Sequence, residues 1–141
     1  MTYQESITIS AKGICDVVNV TEEVGQIVRK SKVREGIALV FVSGSTAGVT
    51  TIEYEPHLVK DLQELMDKLI PRDKTYHHEK AWHDDNGFSH LRAALLGPSV
   101  VVPISGGALQ LGTWQQIVVI DFDNRARTRE VIVKVMGGRG R

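Results

Sequence analysis

Residues 36–54 read GIALVFVSGSTAGVTTIEY, and this stretch decides the fold. Residues 37–42 form an uninterrupted apolar run, the pattern of a strand covered on both faces. Small and hydroxylated residues interrupt it at 43–48, and β-branched character resumes over 49–54. Two strands in succession, with no helix between them, point away from an alternating doubly wound fold.

Reading outward toward the N-terminus, Ser6, Ile7, Thr8, Ile9 and Ser10 alternate as a half-buried strand does. Lys12-Gly13 reads as a turn, and residues 14–19 as a second short strand. Thr21 is placed as an N-cap, with Glu22 and Glu23 in the first turn where the helix dipole favours negative charge. Val24, Ile27 and Val28 supply the apolar stripe of a helix over residues 22–32.

Toward the C-terminus, Pro56 opens the clearest helix of the chain. Leu58, Leu62, Leu65 and Leu69 repeat at helical spacing, and Pro71 ends it. Residues 72–86, RDKTYHHEKAWHDDN, have no period. A loop that long in a compact domain is commonly functional. A short helix follows over 89–96, stopped by Gly97-Pro98. Residues 99–104 read as a strand in which Pro103 removes a ladder donor. Residues 117–122 and 129–136 read as two more strands, and 137–141 as a mobile tail. The order is that of an α+β domain with a largely antiparallel sheet.

The chain has 141 residues, 42% of them hydrophobic, and 17 basic residues balance 17 acidic ones. That length suits one domain. Zero net charge argues against a general nucleic-acid binder, whose affinity rests on excess Lys and Arg. No apolar run approaches the ~20 residues needed to span a bilayer, and the start, MTYQESITIS, lacks the features of an export signal. A cytoplasmic protein is the expectation, with Cys15 a packing residue.

All five histidines lie between positions 57 and 90. His77, His78, His83, Asp84, Asp85 and His90 form the strongest cluster. Imidazole and carboxylate are ligands for zinc and similar ions, and acid–base groups near neutral pH. No H-E-x-x-H and no cysteine pair accompanies them, so a metal site and a solvated polar loop both stay open. Adjacent His77 and His78 point to opposite faces of an extended segment. His57 reads as a surface residue. The hydroxyl-rich segment 43–48 fits either an anion-binding nest or a tight bend. Trp114 reads as core, and alternating Arg125, Arg127 and Arg129 as a charged strand edge or a phosphate clamp.

Taken together, these pieces resemble a known family. Ser45-Thr46-Ala47, Thr50, Glu53 and Asp61 are similar to its first block. Tyr76, His78, Asp85-Asn86, Ser89-His90-Leu91 and Leu96-Gly97 with Ser99 are similar to the second. Pro103-Ile104 and Leu111-Gly112-Thr113-Trp114-Gln115 are similar to the third, and Arg129 and Met136-Gly137 close the pattern. The family is the YjbQ-like one, whose members are described as secondary thiamine-phosphate synthases.

The resemblance implies a single domain over residues 1–137, with 138–141 as a tail. Its sheet is expected to be curved and sandwich- or barrel-like, with two to three flanking helices. The resemblance also implies a homotrimer with its site near a subunit interface. Glu53, His78, Asp85 and His90 are the expected catalytic residues, and Ser45, Thr46 and Arg129 the expected phosphate contacts. His78, Asp85 and His90 are the expected ligands of a divalent metal, Mg²⁺ or Zn²⁺. The implied reaction joins hydroxymethylpyrimidine diphosphate to thiazole phosphate and releases diphosphate. A metal-dependent hydrolase of a phosphorylated metabolite and a non-catalytic metal- or anion-binding trimer are the alternatives. The chain departs from the family pattern at Gly44, where many members carry a histidine. His77 or His83 would then be a substitute for that missing group.

Overall fold

A computed structural model describes residues 1–140. In chain order the elements are β1 (Thr2–Ala11), β2 (Asp16–Asn19), α1 (Thr21–Ser31), β3 (Glu35–Val42), β4 (Ala47–Glu53) and α2 (Pro56–Leu69). Then come α3 (Glu79–Trp82), α4 (Gly87–Leu96), β5 (Ser99–Ser105), β6 (Ala108–Leu109), β7 (Gln115–Asp121) and β8 (Arg127–Gly138). One sheet has the order β1-β8-β3-β5-β6 and the other β2-β7-β4. Every strand pair is antiparallel. The result is a single α+β unit with a curled antiparallel sheet, as expected, although four helices flank it rather than two or three.

Two cores follow from the strand alternation. Ala38, Val40 and Val42 of β3 and Val131, Val133 and Val135 of β8 face inward. They meet Val24, Ile27 and Val28 of α1, and Ile117 and Val119 of β7. The other face of β7, Val118 and Ile120, packs with Phe122 against Met66 of α2 and Ala93 of α4. β7 is therefore covered on both faces. The run 37–42 is not: on its outward face Ile37 is 41% exposed.

Smaller differences have local causes. Thr21 is the first helical residue, not the N-cap. Its hydroxyl donates to Asn19 Oδ1 at 2.7 Å and accepts the Ile117 N–H at 2.8 Å, which ties α1 to β7. The clearest helix by pattern, α2, leaves Leu65 and Leu69 48% and 57% exposed. Gly137 and Gly138, expected in the tail, extend β8 opposite Gly36 and Glu35. The end of the predicted tail, Arg141, lies outside the described residues. No helix is long and apolar enough to cross a membrane among the described residues.

The fold places one end of both sheets together. Residues 43–46 carry the chain from β3 in one sheet to β4 in the other. Beside them lie the end of β7 and the start of β8. α4 packs closely on β4 because Gly48 has no side chain: a Cβ there would stand 2.7 Å from Leu96 Cδ2 and 2.8 Å from the Gly97 carbonyl.

Candidate functional site

The inward row of β8 ends in Arg129, which is 7% exposed. Its Nε and Nη2 donate to the two carboxylate oxygens of Asp121, at 2.7 and 3.0 Å. Nη2 also donates to Thr46 Oγ1 at 2.5 Å, and that hydroxyl donates to Asp123 Oδ2 at 3.0 Å. Arg127 Nε donates to the same Asp123 oxygen at 2.6 Å. Two buried carboxylates and two guanidiniums thus lock each other in place, with the directional pairing that suits Arg to oxyanions.

Burial is the largest single influence on Asp123, and it raises the carboxyl's pKa. The Arg127 guanidinium, the Asn124 N–H and the Thr46 hydroxyl together outweigh it and hold the pKa below the ordinary aspartate value. The Asp123 carbonyl accepts the Ile14 N–H at 2.7 Å. Gly13 makes that approach possible: at φ +86°, any Cβ would fall within 3 Å of the Asp123 and Arg125 carbonyls.

Above this floor lies a cleft of about 410 Å³ lined by Gly44, Ser45, Thr46, His78, Trp82, Asp84, Asn86, His90, Asp123, Arg127 and Arg129. The His78 and His90 rings meet edge to face with centroids 4.6 Å apart. The loop carrying His78 is pinned at both ends. Tyr76 donates its hydroxyl to the Pro71 carbonyl at 2.5 Å, and Asn124 Nδ2 donates to the Asp84 carbonyl at 2.7 Å. Gly87 lies beneath it, where a Cβ would stand 2.7 Å from Tyr76 Cβ. The short helix α3 breaks what reads in the sequence as featureless loop.

Of the expected residues, Ser45, Thr46, Arg129, His78 and His90 come together. Asp85 does not join them. Its backbone is left-handed at φ 55°, and it lines a separate groove with Lys74, Glu79 and Asn124. There its neighbouring carboxylate raises the Glu79 pKa. Asp84 takes its place, with Oδ1 3.9 Å from His78 Nε2. The expected metal set of His78, Asp85 and His90 therefore does not converge. Among the described residues no group of three or more His, Cys, Asp or Glu side chains is arranged to hold a metal ion.

Glu53 lies at the opposite end of β4 from Thr46, roughly 20 Å away at the usual rise per residue. It lines a different groove with Tyr54, Thr113 and Trp114. Trp114 is 72% exposed, so it is not core. His77 and His83 share a third groove with Tyr76 and Lys80, so neither substitutes for a group at Gly44. Arg129 does face that position: a Cβ on Gly44 would stand 2.6 Å from its Nη1. His57 is a surface residue, beside Glu55. Cys15 is buried, and burial pushes its thiol up to about 11.

Asp84, Asn86 and Arg127 figure in the sequence as members of the histidine cluster, the family pattern and the arginine series, but Asp121 and Asp123 are given no site role there. For these two a signal exists. Asp121-x-Asp123 and Arg127-x-Arg129 alternate with period two on the ends of two strands, which puts all four side chains on one face.

Fold and cleft define a small α+β protein with an arginine-floored, histidine-walled site. The sequence pattern of the family described as UPF0047 protein YjbQ-like matches residues 5–138. A UPF0047 protein of Archaeoglobus fulgidus is 39% identical over 130 residues, covering 92% of this chain and 98% of that one. The UPF0047 protein YugU of Bacillus subtilis is 32% identical over 124 residues, covering 86% and 90%. A crystal structure of a YbjQ-like protein of unknown function from Sulfolobus solfataricus superposes with a TM-score of 0.92 at 33% identity, covering 97% of this chain and 98% of that one. The chain belongs to the UPF0047 (YjbQ-like) family.

Proposed function

We propose that the cleft binds the phosphoryl group of a small metabolite and runs a displacement of diphosphate of the kind that makes thiamine phosphate. The observation that carries this reading is Arg129. Asp121 and Thr46 fix its guanidinium, and its third nitrogen is turned toward Gly44, beside the Ser45 and Thr46 hydroxyls. Preorganised donors of this kind stabilise charge that develops in a transition state.

In the reaction the thiazole ring nitrogen attacks the methylene carbon of hydroxymethylpyrimidine diphosphate. The C–O bond breaks, its electron pair leaves with diphosphate, and the positive charge ends on the thiazolium nitrogen. No strong base is required. Arg129, Arg127 and Ser45 receive the charge of the leaving group, with Thr46 holding Arg129 in place, and His78 and His90 donate to it from their ring N–H. Where a divalent ion takes part, it arrives as the metal salt of the diphosphate and is part of the substrate.

The assay supplies both phosphorylated precursors and Mg²⁺ to purified protein. Thiamine phosphate is expected, with a drop of about 10²-fold in His78→Ala and His90→Ala variants that remain folded. No product above background overturns the displacement reading. Phosphate release from single esters, without coupling, would replace it by hydrolysis.

We also propose a homotrimer. The outer face of the larger sheet carries Ile37, Leu39, Phe41, Val101, Ile132 and Met136 in neighbouring register. Of these, Val101 and Met136 are 56% and 48% exposed. Lys134 lies among them opposite Leu39 and the β1 side is polar, so the apolar patch suited to burial against a second copy lies on β3, β5 and the outer positions of β8. Assembly would also give Glu53 and Trp114, remote from the cleft within one chain, a route to a neighbour's site.

A further inference from the structure

We propose that Gly44 is the specificity-determining residue of the cleft floor: its missing side chain leaves the notch through which an oxyanion oxygen of the ligand reaches Arg129 Nη1. This inference rests on the phosphoryl-binding reading above. Gly44 and Arg129 both line the cleft. A Cβ on Gly44 would stand 2.6 Å from Nη1 and 3.6 Å from Cζ, and would meet nothing else within 4 Å. The shorter distance is too close for a carbon, yet near the ~2.7–2.9 Å at which a charged N–H holds an anionic oxygen. An oxygen that bonds Nη1 from this side takes the space that any side chain at 44 would fill.

The backbone does not require glycine here. Gly44 has no positive φ, so other residues can adopt its conformation. No neighbouring backbone presses on it either, as the Gly97 carbonyl does on Gly48 and the Met136 carbonyl on Gly36. A side chain would meet the guanidinium alone. That group is not free to turn aside, because Asp121 and Thr46 hold its Nε and Nη2 through three hydrogen bonds.

Nη1 is the one nitrogen of Arg129 without a partner among the described residues. It is also open to a ligand. The sealed, unpartnered side-chain atoms are Asn86 Oδ1, Ser89 Oγ and Arg92 Nη1, and Arg129 Nη1 is not among them. A guanidinium N–H only donates, so what it meets in the notch is an acceptor. Asp121 and Asp123 match Arg129 and Arg127 in charge, so the floor as a whole is neutral. Such a floor recognises an oxyanion by directed N–H groups. Closing the notch removes one of these and leaves Arg127 and the Ser45 hydroxyl in place.

Calorimetric titration with inorganic diphosphate tests this on four full-length proteins: native, Gly44→Ala, Arg129→Lys, and the variant carrying both changes. Thermal melting checks that each is folded. Gly44→Ala is expected to bind diphosphate about tenfold or more weakly than the native protein, the loss of one charge-assisted hydrogen bond. Lysine has no Nη1, so adding Gly44→Ala to Arg129→Lys should cost no further affinity. Native affinity in Gly44→Ala overturns the inference and leaves the phosphoryl reading standing. A tenfold loss that recurs in the Arg129→Lys background also overturns it, because the methyl group would then act other than through Nη1. If the native protein binds no diphosphate, the phosphoryl reading fails and this inference with it. Should Gly44→Ala not fold, the native protein soaked with diphosphate decides. A phosphoryl oxygen over Gly44, within hydrogen-bond distance of Nη1, upholds the assignment, and diphosphate bound with the notch empty overturns it.

Discussion

On β8 the inward row runs Arg129, Val131, Val133, Val135, so the arginine enters the molecule by the alternation that builds the core. Its charge is tolerable there because Asp121 pairs with it through two bonds and Thr46 through a third. Removing one partner of a buried pair leaves the other uncompensated. Arg129→Ala is expected to cost about 3–5 kcal/mol of stability, read from denaturant unfolding. Arg129→Lys keeps the charge but not the fork, and should weaken diphosphate binding about tenfold or more, measured by calorimetry. Acid stability follows from Asp123. Its folded pKa lies below its ordinary value of 3.8. The stability it contributes is complete above that value and is lost as pH falls through the lower, folded pKa. Melting temperature should therefore fall below about pH 4 in the native protein, and less steeply in Asp123→Asn. A fall of the same steepness in both would remove Asp123 from the account. Among the expected site residues, Ser45, Thr46 and Arg129, carried by the segment joining β3 to β4 and by β8, line one cleft, whereas Glu53 on β4 lines another. Asp85 and Asp84 were not separable, because which of two adjacent carboxylates faces the cleft depends on a left-handed backbone at Asp85 that no residue pattern announces.

At the scale of elements, strands were easier to place than helix environments. β3, β4, β7 and β8 follow from apolar runs and alternation, and α4 from its Gly97-Pro98 stop. α2 shows the limit: its leucine spacing fixes the helix, but Val59, Leu62 and Met66 face the protein while Leu65 and Leu69 do not. Periodicity gives the stripe and not its neighbour. The two-residue β6 and four-residue α3 are too short for any period to mark. α4 is the element that ties fold to site, since it carries His90 and follows Asn86. Its seat on β4 depends on Gly48. Gly48→Ala must push Leu96 and the Gly97 carbonyl outward, an overpacking cost of about 1–3 kcal/mol. The expected outcome is a lower melting temperature together with weaker ligand binding, since the shift carries His90 with it. An unchanged melting temperature would mean that α4 and β4 are not so closely packed.

In the trimer proposed above, a neighbouring copy would cover the apolar part of the larger sheet's outer face, and Glu53, at the far end of β4 from the cleft, would meet a neighbour's site. Sedimentation equilibrium of the native protein should give three times the 15.6 kDa chain mass. Ile37→Asp, at the centre of the outer face, should shift it to the single chain; a trimer unaffected by that charge would place the interface elsewhere. The zero net charge of the sequence fits the proposed anion site, which would work by directed donors rather than by a basic surface. That site can be tested most directly by a crystal structure of the native protein soaked with diphosphate at micromolar to millimolar concentration. The account predicts phosphoryl oxygens within hydrogen-bond distance of Arg129 Nη1 and of the Ser45 hydroxyl, with His78 and His90 alongside. Diphosphate seated in another groove, with Arg129 making only its Asp121 and Thr46 bonds, would contradict it.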